Sequence, residues 1–153
     1  NTNSREDPVV TQRSHDFSKE KFKGVKILLV EDNELNRDIA RELLKQVGIE
    51  VEEAENGSIG IEKLKSHSGD YYSVVLMDVQ MPVMNGIEAT KIIRELPDAK
   101  KANIPIVAMT ANAFDEDKRV ALDAGMDSFV PKPFEISDLL NVLSQMIDKR
   151  NSI

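Results

Sequence analysis

The chain has no cysteine among its 153 residues. Disulfides and thiolate metal sites are therefore excluded, and a reducing compartment suits it. An excess of basic residues is also missing. Lys and Arg number 20 against 27 Asp and Glu, for a formal net charge of −7. Nucleic-acid binding needs a basic footprint, so that class of partner is set aside. No apolar run approaches the roughly 20 residues of a membrane span. The first residues also lack the apolar segment of a secretory signal. The chain opens on Asn rather than Met, from which a fragment of a longer protein is expected. The expected location is the cytoplasm, with no membrane contact by this segment, whether or not the parent chain is membrane-anchored.

What is present is a regular alternation. Residues 1–23 are polar with mixed charge and read as a linker or tail. Residues 150–153 read as a short second tail. Between them, residues 24–149 carry the pattern of one domain, long enough to bury a core without staples. Strands are expected over 25–30, 49–54, 73–78, 104–109 and 128–130. Helices are expected between and after them. The first, over 34–47, has Leu35, Ile39, Leu43 and Val47 at helical spacing, Asn33 as N-cap and Gly48 as its stop. Asn56-Gly57 reads as a turn, with a short helix over 58–66 carrying Ile61 and Leu64. The others run over 86–95 with Ile87, Ile92 and Ile93, over 115–124, and over 135–149. In the last, Ile136, Leu139, Leu140, Leu143 and Ile147 are expected to face inward.

Five strand–helix units imply an α/β fold, a parallel sheet covered on both faces. Right-handed crossovers narrow it to a doubly wound, flavodoxin-like (βα)5 sandwich with strand order 2-1-3-4-5. That order makes the first and third strands neighbours. The first ends in Glu31-Asp32 and the third in Asp78. Three carboxylates then meet at the edge of the sheet where ligands bind in such folds. Carboxylates that close repel unless protonated or bridged by a cation. The same edge receives Thr110 from the fourth strand and Lys132 just after the fifth. Oxygen donors without His or Cys point to Mg²⁺ rather than Zn²⁺, with Mn²⁺ a possible substitute. Mg²⁺, an ammonium and a hydroxyl suit phosphoryl oxygens, and a carboxylate can itself be the nucleophile that becomes an aspartyl-phosphate.

Taken singly, each of these residues has an ordinary explanation as a cap, a loop acid or surface charge. Together and in order, residues 24–149 resemble the receiver domain of two-component response regulators. The resemblance rests on Leu29-Val30-Glu31-Asp32, Asp78 with Met81-Pro82 and Asn85-Gly86, Thr110-Ala111, and Lys132-Pro133. It implies that Asp78 is the phosphoacceptor. Glu31, Asp32, Asp78 and the backbone carbonyl of Gln80 would hold Mg²⁺, and Thr110 and Lys132 would contact the phosphoryl group. It further implies a switch coupling Thr110 to Phe129, and often a cis bond between Lys132 and Pro133. The wording around Asn33, Asn36, Gln80 and 108–113 is similar to receivers of hybrid sensor histidine kinases. A histidine kinase domain, a histidine phosphotransfer protein, or both are the implied partners. They would dock near Leu35-Asn36, Met81 and Phe134. The fragment would catalyse its own phosphorylation rather than act as a turnover enzyme.

A free-standing single-domain regulator would look nearly the same. An Asp-nucleophile phosphatase is the alternative of another class. Such enzymes place a general-acid Asp two residues after the nucleophile, where this chain has Gln80. Met77 is expected in the core, with Met81 and Met84 exposed on the loop. Ser14-His15-Asp16 only faintly matches a histidine-kinase phosphoacceptor box, and His67 needs no role.

Overall fold

The computed structural model describes residues 22–79, 84–110, 115–132 and 135–151. Five strands form one parallel sheet: β1 (Lys26–Val30), β2 (Glu50–Ala54), β3 (Val74–Asp78), β4 (Ile106–Thr110) and β5 (Ser128–Pro131). Their order is β2-β1-β3-β4-β5, as expected for the flavodoxin-like class. The helices are α1 (Glu34–Lys45), α2 (Gly57–Ser66), α3 (Gly86–Arg94), a short α4 (Ala99–Ala102), α5 (Asp115–Ala124) and α6 (Ile136–Asn151).

The central strands β1 and β3 are apolar almost throughout because helices cover both of their faces. Alternate residues divide between two cores. Ile27, Leu29, Val74 and Leu76 pack with Ala40 and Leu44 of α1 and with Leu139 and Leu143 of α6. Leu28, Val30, Val75 and Met77 pack with α2, α3 and α5 through Ile61, Leu64, Ala89, Ile93 and Ala121. Phe22 is 1% exposed and belongs to the first core, so the folded unit takes in part of the stretch read as linker.

All five parallel strands end at the same sheet edge, and there asparagines start the three helices that follow β1, β2 and β3. Asn33 accepts from the Asn36 amide at 2.9 Å, and Asn56 from the Ile59 amide at 2.9 Å. Asn85 and Glu88 form a reciprocal capping box that starts α3. Asn56 is thus a helix cap with α2 beginning at Gly57, not a free turn.

Several facings differ from expectation. On α1, Leu35 is 66% exposed, in keeping with its expected place on a docking surface, but Ile39 is exposed as well, at 47%, while Ala40 and Leu44 carry the buried stripe. The helix has two apolar stripes, and the sheet takes the one continued by Val47 and Ile49. Ile92 and Ile136 also lie at the surface. Met84 is half-buried, packed beside Gly57 and the second core rather than exposed.

Candidate functional site

At the carboxyl edge of β1 and β3, Glu31 and Asp78 are buried at 2% and 3% exposure, and Asp32 is open to solvent. Their carboxylate oxygens lie within 4.8 Å of one another. The pairing of Val30 with Met77 across β1 and β3 brings them together. Two strands over, Lys132 N donates to Thr110 O at 2.9 Å, tying the end of β5 to β4. From there the Lys132 side chain reaches back across the edge. Its Nζ lies 3.1 Å from Glu31 Oε1 and 3.4 Å from Asp78 Oδ2.

Glu31 is held on both oxygens, because Oε2 accepts from the Asn33 amide at 3.1 Å. Burial pulls the Lys132 ammonium pKa down, but Asp78 and the Glu31 hydrogen bond outweigh it and raise the value above that of an ordinary lysine. A raised lysine pKa gives stability that is full below the unfolded value and is lost only as pH rises through the folded one. The Lys132 contacts are therefore intact at neutral pH. Even so, three acids against one ammonium leave the cleft net negative. The donor set is all oxygen, with one exposed carboxylate at the mouth, and it fits a hard divalent cation.

The open cleft is lined by Glu31, Asp32, Asn36, Asp78, Thr110 and Lys132, among others. Thr110 faces a second, more apolar hollow as well, which it shares with Ile87 and Phe129. Phe129 is half-buried, and the Lys118 ammonium sits 4.7 Å from its ring centroid. The fold thus gathers Glu31, Asp32, Asp78, Thr110 and Lys132 into one cleft and sets Phe129 beside it. Gln80, Met81, Ala111, Pro133, Phe134 and His15 lie outside the described residues. His67 stacks on Tyr71 with ring centroids 3.7 Å apart, below Glu52, which accepts from both Tyr71 and Tyr72 at 2.6 Å.

The sequence pattern of the response regulator receiver domain family matches residues 27–144. The chain belongs to that family. Members of this receiver family are the phosphoacceptors of two-component signalling. Among curated relatives, this receiver is 44% identical to hybrid signal transduction histidine kinase B of Dictyostelium discoideum. That match covers 81% of this chain and 6% of the relative. It is 36% identical to histidine kinase 5 of Arabidopsis thaliana, covering 80% of this chain and 16% of that one. The receiver therefore spans a small fraction of the length of these curated relatives. A solved structure with the same fold is the receiver domain of the sensor histidine kinase PA1611 of Pseudomonas aeruginosa. It is 35% identical with a TM-score of 0.70, covering 82% of this chain and 98% of that one, and it holds a magnesium ion in its active-site cleft. The chemotaxis protein CheY4 of Vibrio cholerae superposes with a TM-score of 0.71 at 29% identity, covering 80% and 98%.

Proposed function

We propose that Asp78 takes a phosphoryl group from a phosphohistidine donor, as the receiver of a hybrid sensor histidine kinase in the cytoplasm. The supporting observation is the buried Asp78 carboxylate, 3.4 Å from Lys132 Nζ in a cleft whose other acids leave room for a cation. Glu31, Asp32 and Asp78 would hold Mg²⁺, and their oxygens would accept Mn²⁺ as well. The bound cation would neutralise charge spreading over the phosphoryl oxygens during transfer. An Asp78 oxygen attacks phosphorus, the bond to the donor nitrogen breaks, and the phosphoryl group stays on Asp78. Lys132 supplies a fixed positive charge to the transferred group. Thr110 borders both the cleft and the hollow beside Phe129, and its hydroxyl would register the new charge.

A histidine kinase domain or a histidine phosphotransfer protein would dock over the cleft mouth. Support comes from the exposed Leu35 and Ile39, one helical turn apart on α1, beside Asn36 in the cleft wall. Lys132→Ala is the first test of the chemistry. The variant is expected to keep its circular dichroism spectrum and lose on the order of 100-fold or more in its rate of labelling by acetyl phosphate. Labelling at the wild-type rate would remove Lys132 from the proposed machinery.

A further inference from the structure

The loop that carries two of the cleft carboxylates is held from outside the cleft. β1 ends at Val30, paired with Ala54 of β2, and Glu31 N adds one more rung by donating to Ala54 O at 3.0 Å. The Glu31 carbonyl points toward the same neighbouring strand. In a continued parallel ladder its donor would be the amide of residue 56. Asn56 has left the strand to cap α2. Arg37 supplies the missing donor: its Nη1 donates to Glu31 O at 2.8 Å. The same guanidinium places Nε 3.3 Å from Glu53 Oε1 on β2, and the side chain is only 15% exposed. Arg41, one turn further along α1, also pairs with Glu53.

We propose that Arg37 is a positioning residue for the cation site, an inference that rests on the reading of Glu31, Asp32 and Asp78 as its ligands. A peptide unit is planar. Holding the Glu31 carbonyl therefore constrains the peptide plane that joins Glu31 to Asp32, and with it the two Cα positions from which both carboxylates project. A guanidinium can hold the carbonyl and the Glu53 carboxylate at once because its donors form a rigid fork. A lysine ammonium is a single point that must choose between them.

The sign of the effect separates positioning from mere proximity. Arg37 is a positive charge close to a cation site. By Coulomb's law alone, its removal would tighten Mg²⁺ binding. If it positions the ligands, its removal loosens binding.

The test is a titration of the whole chain with MgCl₂ at constant ionic strength, followed by amide shifts, with a urea midpoint for each variant. Arg37→Met is expected to raise the Mg²⁺ Kd by about tenfold or more, as loss of a group that orients metal ligands does. Glu53→Gln, which leaves the bond to Glu31 in place, is expected to bind close to wild type. If Arg37→Met does not fold, Arg37→Lys carries the same test with the charge kept, and a several-fold weaker Kd is expected. A Kd unchanged or lowered in the folded Arg37 variant would overturn the inference. So would a loss in Glu53→Gln as large as in Arg37→Met. Wild type that binds no Mg²⁺ would instead bring down the cation-site reading, and the role of Arg37 with it.

Discussion

Arg94→Met is expected to destabilise the fold by about 3–5 kcal/mol, the range for breaking a largely buried charge pair from one side. Arg94 donates to four acceptors from separate parts of the chain. These are Gly125 O at 2.8 Å, Ala102 O at 2.8 Å, Ile104 O at 2.7 Å and Asp127 Oδ2 at 2.8 Å. Burial lowers the guanidinium pKa, and Asp127 only partly offsets that cost, so the charge is held against desolvation by these contacts. Methionine fills much of the stem volume but leaves three carbonyls without their donor. It also leaves the Asp127 carboxylate with the Ile106 amide and Lys149 alone. The cluster lies at the amino edge of the sheet, remote from the carboxylates. Urea denaturation should show a large drop in midpoint, while the fraction that stays folded is labelled by acetyl phosphate at nearly the wild-type rate. A shift below about 1 kcal/mol, the worth of one ordinary hydrogen bond, would mean that Arg94 is not the hub it looks to be.

Gly86→Ala should strike stability and chemistry together. A Cβ at residue 86 would stand 2.3 Å from Asp78 O and 3.0 Å from both Met77 Cγ and Val79 Cα. Glycine is needed there for space, since the start of α3 sits directly on the end of β3, with Gly86 N donating to Val79 O at 2.9 Å. Overpacking against backbone has few ways to relax, and about 1–3 kcal/mol or more of destabilisation is expected. Relief displaces the start of α3, the Asp78 backbone or both, so the folded variant should also be labelled more slowly. Gly48→Ala is the useful contrast. Gly48 has φ +90° with nothing within 4 Å of a would-be Cβ, so alanine there strains the backbone and touches nothing. Its midpoint should fall while labelling of the folded protein is unchanged. Equal labelling rates for the two variants would contradict the close approach at Gly86 as a constraint on Asp78.

The strands were legible because a sheet covered on both faces demands apolar runs, and Val74–Asp78 is such a run with an acid at its end. The convergence of Glu31, Asp78 and Lys132 followed from topology: parallel strands deliver their carboxyl ends to one edge. Helix facing was harder. Leu35 and Ile39 form a stripe as regular as the one at Ala40 and Leu44, and periodicity alone does not say which stripe meets the sheet. The four-residue α4 falls below the length at which a pattern can be read. Arg37 and Arg94 stayed hidden because they bind backbone carbonyls, and a carbonyl acceptor leaves no mark on sequence. The available hint for Arg37 was its spacing of four from Arg41 opposite the acidic strand Glu50–Ala54.

The most direct test of phosphoryl transfer to Asp78 is the intact mass of wild type and Asp78→Asn after incubation with acetyl phosphate, with and without Mg²⁺. The expected result is one added phosphoryl group on wild type, in the presence of Mg²⁺ alone, and none on Asp78→Asn. Wild-type stoichiometry on Asp78→Asn, or full labelling of wild type after the metal is chelated, would contradict it.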